Sequence, residues 1–277
     1  MSAQPVKSIA LCADDYGLHP LVDEAVRTLA QAGRLSATSC MSTAPGWKLA
    51  AKGLQDLRGR LSLGLHFNLT EGHGVQPDQS IGSVIARAYT GRLGRITMVH
   101  ALEHQLDAFE DALGMRPDFI DGHQHVHQLP QARAALVEVM QKRWGDGPGP
   151  WLRSTAPAGR LWREPKAAVI ALLGGWSSTR LMHRKGFAHN RGFAGVYGFD
   201  AATPQDYGRH MQRWLAEVGH GALMMCHPAA APVDGDAIGR QRAVEYAYLG
   251  SEDFSQALTQ SNCLITQGPL TWLFAGS

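Results

Sequence analysis

Little in this sequence could hold it together other than an apolar core. Only 4 cysteines occur in 277 residues, and Cys12, Cys40, Cys226 and Cys263 lie far apart with no Cys-x-x-Cys pair. That excludes a disulfide framework, and three of the four sit in apolar runs as small buried hydrophobes of a reducing compartment. No apolar run approaches the ~20 residues that span a bilayer. The opening Met-Ser-Ala-Gln-Pro-Val-Lys has no charged stretch followed by an apolar one, so no secretory leader is expected and the cytoplasm is the default. An excess of one charge is missing too: 26 Lys+Arg against 24 Asp+Glu leave +2, with basic residues only in short groups such as His183-Arg184-Lys185. This argues against nucleic acid or a membrane surface as the main partner. There is no internal repeat, low-complexity tract or linker. A chain this long buries about three quarters of its unfolded surface and folds without a staple, so one domain over 1–277 is expected.

What the chain does have is a rhythm of short β-forming runs and longer helical periods. Strands are expected at Ser8–Ala13, Ala37–Met41, Leu61–Leu69, Phe119–Asp121, Trp151–Arg153, Ala222–Cys226 and Cys263–Thr266. Helices are expected at Leu21–Leu29, around Leu102–Leu113 with Gly114 and Pro117 as stop signals, and at Gln131–Gln141, Gln205–Val218 and Gln241–Leu249. Alternation of this kind predicts an α/β fold with parallel strands, open or closed into a barrel. Two stretches, 72–95 and 156–198, break the rhythm and are expected to be lids or binding loops.

The 13 histidines are the anomaly, and several fall in clusters. Asp14 and Asp15 end the first strand, where two adjacent carboxylates can hold a metal and handle a proton. In Gly64-Leu65-His66-Phe67-Asn68, strand period places His66 and Asn68 on one face. Asp121-Gly122-His123-Gln124-His125-Val126-His127 follows another strand. If that segment stays extended, Asp121, His123, His125 and His127 share a side, and imidazoles so placed usually mean a metal. His227-Pro228 ends a late strand. Ligands of parallel α/β folds sit at the carboxyl ends of strands, so these four segments should converge. Carboxylate and imidazole donors without thiolate suit zinc, magnesium, manganese or iron.

Taken in order, Ala-Asp-Asp-Tyr-Gly, Gly-Leu-His-Phe-Asn-Leu-Thr, Asp-Gly-His-Gln-His-Val-His and Cys-His-Pro resemble the YdjC-like carbohydrate deacetylases, the group with the chitooligosaccharide and hopanoid-biosynthesis deacetylases. The resemblance runs from Ile9 to about Leu270. It includes Arg153, a Gly-Phe-x-Gly-like stretch at Gly192–Gly195 or Gly195–Gly198, and Arg242-x-x-Glu245. It implies a distorted (β/α) barrel and one divalent cation, magnesium or zinc, on Asp15, His66 and His123. It also implies hydrolysis of an N-acetyl group on a saccharide, with Asp14 as base and His227 as acid. His125, His127, Arg153 and Asn68 are expected on the substrate side. His125 and His127 could instead orient Asp14 or support a ligand, and Arg153 could pair with Asp14 or read a substrate anion. Trp47, Trp151, Trp162 and Tyr197 are candidates for stacking on a sugar, against plain packing.

Two departures stand out: Leu223 where the family often has Glu, and Ala229 where it often has Gly. The rival readings are a metal-dependent phosphoesterase or cyclic-amide hydrolase, a non-haem iron oxygenase, and a non-catalytic sugar-binding module. A phosphoesterase or cyclic-amide hydrolase wants an early His-x-His that is missing after the first strand. The oxygenase wants an all-β scaffold, and the binding module has little use for Asp14 beside Asp15. No membrane insertion is expected, and the sequence leaves the assembly open with a homodimer as a fair prior.

Overall fold

A computed structural model describes residues 5–73, 78–145 and 147–268. Part of the 72–95 stretch, the first four residues and the chain beyond 268 therefore lie outside the described residues. Among the described residues there are eight strands: β1 Lys7–Tyr16, β2 Ala37–Cys40, β3 Ser62–Phe67, β4 Phe119–Gly122, β5 Trp151–Leu152, β6 Phe193–Ala194, β7 Leu223–Cys226 and β8 Cys263–Ile265. Every pairing is parallel, in the order β5-β4-β3-β2-β1-β7-β6, with β8 on the early part of β1. The two edge strands are two residues each, and single bridges Leu152↔His189 and Pro157↔Phe193 join them. The result is the expected parallel barrel, distorted at that seam.

Strand period explains how the wall is filled. Ala10, Cys12, Ala37, Phe119, Trp151, Phe193, Leu223 and Met225 form one buried cluster, which is the barrel interior. The alternate residues, such as Ile9, Leu11, Leu63, Leu65, Ile120 and Met224, join the larger core under the helices. Gly64 has to be glycine, because a Cβ there would lie 2.3 Å from the Phe119 ring. Leu223, fully buried in the interior cluster, closes the floor of the barrel.

The helices carry ordinary start and stop chemistry. α1 (Pro20–Gln31) begins with Pro at its first position and buries Val22, Ala25, Val26 and Leu29. The short α2 (Trp47–Lys52) was not expected. α3 (Ile81–Tyr89) falls inside the supposedly irregular 72–95, capped by the Ser80 hydroxyl. α4 (Arg95–Leu113) buries Leu102, Leu106 and Phe109 and ends at left-handed Gly114. α5 is Pro130–Trp144. The other irregular stretch holds α6 (Pro165–Ile170), a wide turn at Ala171–Gly175 and α7 (Trp176–Arg184). α8 (Pro204–Glu217) has a Thr203–Asp206 capping box, and α9 (Gly239–Leu249) and α10 (Glu252–Gln260) follow before β8.

Candidate active site and metal centre

The next interior layer toward the carboxyl ends of the strands is polar. Asp14, Ser39, His66, Asp121 and Arg153 follow the apolar interior residues of β1 to β5 at strand period. A cavity of about 710 Å³ opens above them, lined by Asp14, Asp15, His66, Glu71, His123, His125, His227 and Arg242 among others. Sequence neighbours Asp14 and Asp15 both reach it because β1 bulges. The register slips between Ala13↔Thr38 and Tyr16↔Cys40, and Asp15 takes a left-handed φ of 69°. Two residues then face one, Ser39, and both carboxylates turn to the mouth instead of opposite faces.

Asp15, His66 and His123 offer ligand atoms that all lie within 4.8 Å of one another. Asp15 Oδ1 is 3.2 Å from His66 Nε2 and 2.8 Å from His123 Nδ1. The far nitrogen of each ring faces a carboxylate: His66 Nδ1 lies 2.6 Å from Asp121 Oδ1, and His123 Nε2 lies 3.4 Å from Glu71 Oε1. Such carboxylate–imidazole pairs orient metal-ligating histidines. Arg242 Nη2 donates to Asp15 Oδ2 at 2.8 Å, leaving the other oxygen to the imidazoles. Burial works against charge on both partners, yet His123 and Arg242 hold the Asp15 carboxyl well below its usual range, and Asp121 carries His66 up to about 10. Two imidazoles and one carboxylate, with a cavity on the open side, fit a hard or borderline divalent cation.

Asp14 is held differently. Arg153, completely buried, donates Nη1 to Asp14 Oδ2 at 2.7 Å and Nη2 to Oδ1 at 2.6 Å. The same Nη2 lies 2.5 Å from Asp121 Oδ2 and 3.0 Å from Cys12 Sγ. The grouping Cys12, Asp14 and Asp121 therefore already surrounds an internal cation. Burial opposes ionisation of Asp14, but Arg153 outweighs it and keeps the carboxyl far below the usual range. Across the cavity, His227 Nε2 stands 3.9 Å from Asp14 Oδ2, with its ring edge-on to Phe199. Its backbone N–H donates to buried Glu245 at 2.6 Å, and Tyr197 O–H donates to the same carboxylate at 2.5 Å.

The segment after β4 corrects one expectation. It is not extended: Gln124 and His125 adopt φ of 50° and 61° in a tight turn. Asp121, His123, His125 and His127 therefore part company. His123 faces Asp15, while His125 lines the cavity with its pKa driven far down by burial. His127 turns inward to the Arg153 carbonyl oxygen at 3.1 Å. The four substrate-side candidates are placed differently from one another. Arg153 and His127 are buried at 0% and 1% exposure and do not line the cavity. Asn68 faces a neighbouring groove and braces the loop, accepting from Thr70 and Glu71 N–H. Of the four, His125 alone reaches the cavity. Trp47 stacks on Phe109 and Trp151 on Phe119, so both are packing residues, whereas Tyr197 lines the cavity. Ser39, Glu71, Asp121 and Arg242 are site residues to which the sequence pattern assigns no role. The signals existed in the Asp-Gly-His run and in the three-residue spacing that puts Arg242 and Glu245 on one helix face.

The family described as YdjC-like protein matches residues 8–260. The chain belongs to that family. Among curated relatives, the carbohydrate deacetylase of Homo sapiens is 31% identical over 153 residues, 50% of this chain and 47% of that protein. The chitooligosaccharide deacetylase of Enterobacter sp. (strain 638) is 30% identical over 131 residues, 45% of this chain and 52% of that protein. The chain thus spans about half the length of the curated relatives it matches. A solved structure from Enterococcus faecalis V583, named for cellobiose-phosphate cleavage, superposes with a TM-score of 0.70 at 18% identity, over 95% of this chain and 97% of that one. A family 4 carbohydrate esterase from Streptomyces lividans reaches 0.50 at 9% identity, over 94% and 91%. At these identities, the likeness is one of fold.

Proposed function

We propose that this YdjC-like protein is a metal-dependent hydrolase that removes the N-acetyl group from an acetylated saccharide, releasing acetate and an amine. The observation that carries the reading is the bulge at Asp14–Asp15, which puts an Arg153-bound carboxylate beside a separate Asp–His–His set at one cavity mouth. Asp15, His66 and His123 would hold the cation, magnesium or zinc. When bound, it supplies Lewis-acid polarisation of the acetyl carbonyl and a more acidic water. Asp14, ionised by Arg153, accepts a proton from the attacking water as its oxygen bonds to the carbonyl carbon. His227 donates a proton to the departing nitrogen as the C–N bond breaks. His125, neutral because it is buried, offers a hydrogen-bonding group to the bound sugar, and Tyr197 gives it an aromatic wall. Asp121 and Glu71 fix the rings of His66 and His123. The chain works as one unit, and its four free cysteines suit a reducing compartment such as the cytoplasm.

The test is acetate release from N-acetylated mono- and oligosaccharides, with protein stripped of metal and reloaded with magnesium or zinc. Metal-restored acetate release supports the reading. Release of phosphate from sugar phosphates, with none of acetate, would replace it.

A further inference from the structure

The stretch 160–185 is the place where the chain's nearly balanced charge becomes one-sided. It holds Arg160, Arg163, Lys166, Arg180, Arg184 and Lys185 against the single acid Glu164, in a chain whose net charge is only +2. Arg160 is paired with Glu217, and Glu164 is paired with Arg213. Arg180, Arg184 and Lys185 are exposed on or just beyond the last turns of α7.

The same stretch carries four of the nine large apolar side chains left in solvent among the described residues. Leu172 is 71% exposed, Val169 52%, Trp162 48% and Trp176 43%. Val169 lies in the last turn of α6 and Leu172 follows in the wide turn, while Trp176, Arg180 and Arg184 share one face of α7 at spacings of four, beyond the non-helical Leu173 and Gly174. The edge is held outward by packing beneath it. Gly174, at φ 129°, lies so close to the loop after β4 that a Cβ would meet the Gln128 carbonyl oxygen at 2.5 Å. Gln128 Nε2 also donates to the Ile170 carbonyl at 2.9 Å. On its other side, the segment lines the cavity with Lys166, Ile170 and Leu173.

We propose that this edge docks on an anionic lipid surface, lying in the interface without crossing it. Exposed Trp and Leu bordered by Arg and Lys is the composition of interfacial segments, whose apolar face enters the headgroup boundary while the cations meet lipid charge. No described helix is long and apolar enough to cross a membrane. A second copy of the chain is a poorer occupant, because a two-fold contact sets this patch against itself and brings like charges together. Docking here sets one wall of the cavity mouth against the lipid. The inference stands apart from the reaction proposed above.

Co-sedimentation with unilamellar vesicles tests it. The full chain is expected to sediment with vesicles of equal parts phosphatidylcholine and phosphatidylglycerol, to bind pure phosphatidylcholine far less, and to come off in high salt. Each surface cation contributes about fivefold at such a membrane, so the triple variant Arg180→Glu, Arg184→Glu, Lys185→Glu should lose well over tenfold in affinity. Leu172→Ser with Trp176→Ser should weaken binding independently of charge. Neither variant touches the cavity, so hydrolysis of a water-soluble substrate and the melting temperature should stay at wild-type values. Absence of sedimentation with the anionic vesicles, or equal sedimentation by both variants, overturns the proposal. So does a wild-type dimer, seen by analytical ultracentrifugation without vesicle binding, that Leu172→Ser with Trp176→Ser dissociates.

Discussion

The Arg153 guanidinium grips both carboxylate oxygens of Asp14, at 2.7 and 2.6 Å, in a place where neither residue has more than about 2% of its surface exposed. Two-pronged pairing of this kind fixes geometry as well as charge. It keeps a buried carboxylate ionised.

Removing the guanidinium should therefore act twice. Arg153→Ala leaves a buried carboxylate without its partner, a change that typically costs about 3–5 kcal/mol of stability. Without that partner, burial raises the Asp14 pKa, so the acid limb of the rate profile should move to higher pH. Arg153→Lys restores charge without the fork and should fall between the two. Thermal unfolding and a pH profile of kcat/KM check this; an unmoved acid limb in Arg153→Ala would mean that Asp14 is not the base.

Asp14→Asn keeps the shape of the pair but removes the proton acceptor. The variant should bind metal as the wild type does and lose about 100- to 10,000-fold in rate, the usual worth of a positioned base. Metal content and initial rates of acetate release are the measurements. Loss of metal together with rate would show that Asp14 shares the ligand role.

Much of this site was legible in the sequence because strand ends advertise themselves. Asp14, Asp15, His66, His123 and His227 each follow an apolar run, and the parallel order brings those runs together. The bulge was not legible, since an extended reading sends Asp14 and Asp15 to opposite faces and only the unequal spacing against β2 shows otherwise. The turn at Gln124–His125 was hidden for the same reason: left-handed φ at non-glycine residues leaves no mark on composition. Gly82 in the first turn of α3, and Gly174 with Gly175 before α7, masked helices that caps and packing stabilise. The basic and apolar side chains of 160–185 do not stand out in the composition, because the net charge of the whole chain is nearly balanced and they are spread over twenty-six positions.

Replacing a ring of the Asp–His–His set should empty it without unfolding the chain, whose core stands without metal. His66→Ala should lose nearly all bound cation at equal secondary structure. Asp121→Asn, which disturbs the orientation of His66, should lower affinity by about 10- to 100-fold. Competition with a chelator of known affinity reads both. Full occupancy in His66→Ala would sink the ligand assignment.

Stability should fall on acidification through His127. Burial carries its pKa down to about 4, and the Arg153 charge adds to the effect while Asp121 opposes it. The unfolded chain then binds the proton more readily than the folded one, so His127 supports the fold fully above about 6.5 and loses that support as the pH falls toward 4. At about 1.4 kcal/mol per pKa unit, the gap amounts to about 3 kcal/mol. His127→Gln should flatten the slope of unfolding free energy between those limits in denaturant titrations. An unchanged slope would place the proton uptake elsewhere.

His227 separates acid catalysis from mere positioning. Its Nε2 faces Asp14 across 3.9 Å, close enough for both side chains to attend one tetrahedral carbon but too far for a direct hydrogen bond. Its main chain is tied to Glu245, whose other oxygen holds Tyr197, so the imidazole is carried by a fixed backbone. Leu223 lies in the barrel floor among Ala10, Phe193 and Met225, and the carboxylate next to His227 comes from α9 instead. If His227 donates the proton that lets an amine leave, His227→Ala should slow amide hydrolysis by about 100-fold or more. The same variant should slow an activated acetyl ester far less, because a phenolate leaves without help. Paired kcat measurements on an N-acetylated sugar and an aryl acetate give the ratio directly. Equal losses on both would assign His227 to holding the carbonyl oxygen, and the proton donor would have to be sought on the substrate side, with His125 as the first residue to replace.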